Sequence, residues 1–249
     1  MKPNEIKSIE ATNFFKNKVN WKFERKVDGS RFKAERGNLI SERGLNRNNR
    51  FGQITSRLRE LNLTDLTLDG EVYIEGKTIL DLNCSENWKA AKFCVFDILS
   101  IGDRDLTNKP LAYRQELLKS LIKDGSMIHL PESWSDFEQA WEVVKSRKLE
   151  GLIAKNLSSR YEDKRSNNWL KIKLKNCMDV EVIGYEAGKG HGTFLIRMPS
   201  GVTGRLSGTS LGIVNYWKQN KPAKCEINYM FLTKEGLAFQ PTFSKWCEV

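Results

Sequence analysis

The sequence is poor in the residues that build metal cages and disulfide frameworks. It holds two histidines, His129 and His191, and five cysteines, at positions 84, 94, 177, 225 and 247. The cysteine count is odd and no C-x-x-C pair occurs, which argues against zinc modules and disulfide scaffolds; reduced thiols in a cytoplasmic protein are expected. Neither histidine sits in a metal-ligand pattern. Long apolar runs are missing too. The start, MKPNEIKSIEATNFFKNKVNW, has no apolar stretch of signal-peptide length, and no other segment approaches a membrane span, so no membrane role is expected. Internal repeats, low-complexity tracts and Gly/Ser linkers are also absent.

Charge is abundant. Forty-one Lys and Arg face 31 Asp and Glu, a balance of +10 that points to a polyanionic partner, nucleic acid before an anionic membrane. The excess is spread along the chain, as on a folded basic surface. With 39% hydrophobic residues in 249, the chain can bury one large core or two smaller ones.

The first part mixes strands and helices. LTLDGEVYI (66–74) and AKFCVFDILS (91–100) read as strands. LAYRQELLKSLIKD (111–124) gathers Leu111, Leu117, Leu118, Leu121 and Ile122 on one helical face. SWSDFEQAWEVVKSR (133–147) reads as a second helix, with Ser135 as N-cap and Glu138 completing a capping box. LEGLIAKN is a short strand. In NWLKIKLK, Leu170, Ile172 and Leu174 take one face and Lys171, Lys173 and Lys175 the other. After Asn176 the texture becomes short strands between glycine turns, with a helical patch at GIVNYWKQN, a strand at AKCEINYMF and a last one around LAFQPTF. That pattern suggests a small β-barrel of the OB-fold type. The expected fold is α+β: residues 1–176, then a barrel over 177–249.

The stretch FERKVDGSRF (23–32) decides more than the composition. Alone, K-V-D-G-S-R fits a solvated turn as well as it fits a nucleophile. Four further segments follow in order: LDGEVYI, KFCVFDIL, EGLIAK and WLKIK. Together the five segments resemble the covalent nucleotidyltransferase superfamily of DNA ligases, RNA ligases and capping enzymes. The match is best with small ATP-dependent DNA ligases, and it covers about Trp21 to Phe243. It implies an adenylation domain with antiparallel sheets and flanking helices, followed by an OB-fold domain.

The resemblance also implies roles. Lys26 would attack the α-phosphate of ATP and hold AMP. A free lysine has a pKa of about 10.4, so its value must be depressed, which neighbouring Lys171, Lys173 and a Mg²⁺ ion (or Mn²⁺) would do. Glu24 would read the adenine amino group, Arg31 would meet the nucleotide sugar, and Phe96 would stack on adenine. Glu71 and Glu150 would serve ribose and metal, since magnesium needs few protein oxygens. Asp28 and Gly29 would shape the turn.

Two features depart from the pattern. The arginine that meets the 5′-phosphate of a nick is expected in Ser-Arg-x-Gly, whereas here the order is Ser41-Glu42-Arg43-Gly44, leaving Arg43, Arg47 or Arg50 for the task. The chain also lacks the arginines of a closing basic motif after Phe243; Lys245 or Arg205 would have to substitute. Lys189, His191 and Arg205 are candidates for DNA backbone contacts. GYEAGKG has the wrong spacing for a P-loop. The expected partner is nicked duplex DNA and the expected state a monomer. An RNA or RNA/DNA-hybrid ligase and a non-catalytic nucleic-acid-binding module are the alternatives.

Overall fold

The computed structural model describes residues 1–123, 125–188 and 191–247. Backbone contacts divide the chain into two compact units, Met1–Lys173 and Leu174–Val249.

The first unit opens with β1 (Lys2–Glu5), α1 (Ser8–Phe15), β2 (Trp21–Arg25), β3 (Gly29–Glu35) and β4 (Asn38–Ser41). It continues with α2 (Gly52–Glu60), β5 (Leu66–Tyr73), α3 (Ile79–Leu82), β6 (Lys92–Ile101) and β7 (Arg104–Asp105). It closes with α4 (Leu111–Leu121), β8 (Ile128–His129), β9 (Ser133–Trp134), α5 (Phe137–Arg147), β10 (Gly151–Asn156) and β11 (Arg165–Lys173). Two sheets result. One has the order β1-β11-β10-β2-β9; the other runs β4-β3-β5-β6-β7, with β8 added beside β6. Among the described residues, only β1–β11 and β6–β8 pair in parallel.

Each sheet is backed by apolar helix faces. Phe32, Leu68, Val72, Phe93 and Ile98 of the second sheet share one core with Ile54 and Leu58 of α2. Behind the first sheet, the rings of Phe15, Phe23 and Phe137 lie 5.0–5.5 Å apart and tie α1 and α5 to β2. Aromatic contacts of this kind add to plain burial.

The second unit is one antiparallel sheet of β12 (Asn176–Ala187), β13 (Gly192–Arg197), β14 (Thr203–Thr209), β15 (Lys224–Tyr229) and β16 (Thr242–Trp246), with α6 (Leu211–Asn220) between β14 and β15. The strand order is β14-β13-β12-β15-β16, and the two edge strands also approach each other. Phe194, Ile196, Leu206, Cys225 and Ile227 form its core with Val214 of α6.

Several sequence expectations need local correction. The second helix starts at Phe137, not Ser133, because Ser133–Trp134 pairs with β2 as a strand. Its cap is Asp136, whose carboxylate accepts the Gln139 N–H, so Ser135 makes no capping box. The first helix ends at Leu121, and Asp124 lies outside the described residues. Strand β11 stops at Lys173, which leaves Lys175 off the alternating face. The last strand begins only at Thr242.

The side chain of Asp97, next to Phe96, is wholly buried and holds Arg114 of α4 in a two-pronged pair, both contacts at 2.8 Å. Burial pushes the Asp97 carboxyl up despite the arginine. Removing one partner strands the other charge in the core. Arg114→Met should therefore cost about 3–5 kcal/mol, read as a lowered urea midpoint; a loss below about 1 kcal/mol would contradict this role for the pair.

Candidate functional site

A cavity of about 120 Å³ opens between the two sheets of the first unit. Its walls come from β2 (Glu24, Arg25), the turn after it (Lys26, Val27), β3 (Arg31), β5 (Glu71), β6 (Cys94, Phe96), β10 (Ile153, Lys155) and β11 (Trp169). Six residues singled out in the sequence stand in or beside it: Glu24, Lys26, Arg31, Glu71, Phe96 and Glu150.

The turn that carries Lys26 is built by close backbone approach. A Cβ on Gly29 would stand 2.2 Å from the Val72 carbonyl oxygen, so glycine lets β3 press against β5. The Lys26 N–H donates to the Gly151 carbonyl at 3.0 Å. Gly151 has φ +150°, and a Cβ there would lie 2.0 Å from the Ile172 oxygen. These two glycines set Lys26 beside Glu150, with Lys26 Nζ donating to Glu150 Oε2 at 2.8 Å. Asp28 accepts the Ile79 N–H at 3.2 Å and anchors the turn to α3.

The charges around Lys26 oppose the sequence expectation. Burial works to lower its pKa, but Glu150 and then Glu71 outweigh it, so the ammonium is held above its ordinary value. Burial raises Glu150 even against Lys26. Burial, with the Glu150 charge adding to it, pushes Glu71 up to about 8 against the pull of Lys26 and Arg31. Lys173 lies 4.0 Å from Glu150, its pKa lowered first by burial and then by Lys26 and Lys171, against the pull of Glu150. Lys171 instead pairs with Glu5 at 3.2 Å. Alternation along β11 puts Trp169, Lys171 and Lys173 on one face.

Arg31 is fixed as well. It grips Asp69 through Nε (2.9 Å) and Nη2 (2.5 Å), while Nη1 donates to the Met1 carbonyl at 2.7 Å. Its guanidinium stands 5.6 Å from the centre of the Phe96 ring. Glu24 is 2% exposed, and Lys155 Nζ lies 2.6 Å from its Oε2. Lys155 also donates to the Phe96 carbonyl at 3.2 Å and stands over the Phe96 and Trp169 rings at 4.5 and 4.0 Å. The Trp169 indole N–H is buried without a hydrogen-bond partner among the described residues.

Residues 1–173 match the family model of the ATP dependent DNA ligase domain. The chain belongs to the ATP-dependent DNA ligase family. Among relatives, it is 28% identical over 264 residues to the SPbeta prophage-derived DNA ligase-like protein LigB of Bacillus subtilis (strain 168), spanning 92% of this chain and 94% of LigB. It is 29% identical over 179 residues to the multifunctional non-homologous end joining protein LigD of Mycolicibacterium smegmatis, covering 68% of this chain but only 24% of LigD. A solved structure of the Lig E DNA ligases shares the fold, with a TM-score of 0.71, 19% identity and 99% coverage of both chains.

Several of the remaining sequence candidates of this ligase chain make contacts of their own. Arg43 is exposed in the loop after β4 and makes no ion pair among the described residues. Arg50 lies 4.6 Å over the Trp88 ring and donates to the Leu82 carbonyl. Arg205 is exposed on β14 and pairs with Glu186. Lys245 lies 3.9 Å from Glu226. Lys189 lies outside the described residues. Conversely, the sequence reading did not single out Asp69, Lys155 or Trp169. A signal existed for Lys155, a lone lysine closing the apolar run of EGLIAK.

No group of three or more His, Cys, Asp or Glu forms a metal cage among the described residues, and no helix there is long and apolar enough to cross a membrane. The Glu71 titration has a readable consequence. The folded protein keeps a proton on Glu71 that the unfolded chain releases between about pH 5 and 8, so stability falls as pH rises through that window. Glu71→Gln removes the effect. In protein without nucleotide or metal the variant should gain up to about 3 kcal/mol on wild type between pH 5.5 and 8.5, several degrees in Tm; parallel Tm curves would contradict this.

Proposed function

We propose that this protein seals nicks in duplex DNA through a lysyl-AMP intermediate on Lys26. The observation that carries the proposal is the Lys26–Glu150 pair at the rim of a small aromatic cavity, with Glu71 close by. Glu150 is within reach to take the ammonium proton. The freed amine attacks the α-phosphorus of ATP; the N–P bond forms as the bond to the β-phosphate oxygen breaks, and pyrophosphate leaves. AMP then passes to the 5′-phosphate of the nick, and the adjacent 3′-hydroxyl displaces it.

The cavity suits the adenosine part of the nucleotide. Phe96 and Trp169 offer aromatic surface, the unmet Trp169 N–H offers a donor, and Glu24 offers an acceptor for the base amino group. Arg31, held rigid by Asp69, meets the sugar. Lys173, on the Glu150 side of Lys26, meets the phosphates, with Lys171 joining after release from Glu5.

Glu71 and Glu150 fit a magnesium ion: both are oxygen donors, both are held up by burial, and the ion needs only one or two carboxylates. When bound, it offsets negative charge at phosphorus and cancels the field that keeps the proton on Lys26. The second unit is proposed as an OB-type barrel, supported by its five-strand order and the approach of β14 to β16.

Two measurements test this function. Incubation with α-labelled ATP and Mg²⁺ should leave a label on the denatured protein. Lys26→Ala should lose the label and nick sealing but keep sealing of a pre-adenylated nick. Sealing of ordinary nicks by that variant would sink the proposal. Separately, the affinity for nicked duplex should fall with salt by about 0.9 log units per log unit of salt for each phosphate neutralised. A flat dependence would rule out phosphate contacts as the main grip.

A further inference from the structure

Two residues outside the five segments converge on Glu24. Lys22 Nζ donates to Gln115 Oε1 at 2.9 Å, and Gln115 Nε2 donates to Glu24 Oε1 at 2.6 Å. Lys22 Nζ also lies 3.3 Å from Glu24 Oε1, while Lys155 Nζ lies 2.6 Å from Oε2. An ammonium can only donate and a carboxylate only accept. The Gln115 amide between them therefore has one workable orientation, with its oxygen toward Lys22 and its nitrogen toward Glu24. Gln115 is 6% exposed, so water does not readily replace this contact.

A carboxylate has about four lone-pair positions. Gln115 and Lys22 occupy those on Oε1, and Lys155 takes one on Oε2. Among the described residues this leaves one acceptor position on Oε2, on a side chain that lines the cavity proposed for the nucleotide. Every hydrogen bond Glu24 makes to the protein side chains is made as an acceptor, and it offers the same character to the base.

We infer that Lys22 and Gln115 are positioning residues that set purine selectivity. They hold Glu24 in one place as an acceptor, where it takes the amino group on C6 of adenine and repels the carbonyl that guanine carries there. A site built this way discriminates because the wrong base leaves buried polar groups facing like partners. If Lys22 is lost, Oε1 loses its ammonium and the Gln115 oxygen loses its donor, so both side chains are held less firmly; if the Gln115 amide is lost, Oε1 has one tether fewer. The inference rests on the base-facing role of Glu24 in the proposed function.

The test compares full-length wild type, Gln115→Leu and Lys22→Met, with label transfer to protein measured over a range of α-labelled ATP and, separately, α-labelled GTP. Both variants should lower the ATP-over-GTP ratio of kcat/KM about tenfold, through a raised KM for ATP more than a lowered kcat. A purely structural role would weaken both nucleotides alike and leave the ratio in place. The Lys22 side chain is 19% exposed, so Lys22→Met gives the deciding ratio should Gln115→Leu fail to fold. A wild-type ratio in Lys22→Met overturns the inference. If wild type takes no label from ATP at all, the proposed function falls first.

Discussion

The 2.8 Å pair between Lys26 and Glu150 is the constraint around which the first unit is arranged. Two charges this deep are costly unless each satisfies the other. The pair exists because Gly151 lets β10 lie against β11 and because the Lys26 N–H is tied to the Gly151 carbonyl. A side chain at position 151 would separate the strands and move Glu150 away. The pair keeps Lys26 protonated, and Glu71 adds to this only once it ionises near pH 8. The carboxylates that hold the Lys26 proton are the same groups that fit a divalent cation, so nucleotide and cation would arm the lysine together.

The walls of the cavity are stiffened by charges that do not face the proposed reacting atoms. Asp97 and Arg114 pin β6 to α4, which fixes the backbone beside Phe96. Asp69 holds the Arg31 fork in plane. Glu24 is surrounded by Lys22, Gln115 and Lys155. Each side chain proposed to meet the nucleotide has a partner that limits its motion, as preorganised electrostatics requires.

Much of this was legible in the sequence, because a chemical motif is local. K-V-D-G-S-R encodes a lysine, a turn and a close glycine in six consecutive residues, and the strand alternation in WLKIK placed Lys171 and Lys173 on one face. The supporting network was not legible, because it is long-range. Gln115 reaches Glu24 across 91 positions, and Arg114 reaches Asp97 from another element. A clue lay in α4, where Arg114 and Gln115 fall on the buried face with Leu111 and Leu118. Polar residues at core positions call for buried partners, though spacing alone does not name them. The Lys26 titration also escaped the sequence reading. Neighbouring lysines suggested depression, whereas the charges of Glu150 and Glu71 prevail at the amine.

Lys26 is proposed to form the covalent bond to AMP. Peptide mapping by mass spectrometry of protein incubated with ATP and Mg²⁺ tests it directly. One added AMP is expected on the peptide containing Lys26, lost in mild acid as a phosphoramidate would be. AMP on any other peptide, or none on protein that seals nicks, would contradict it.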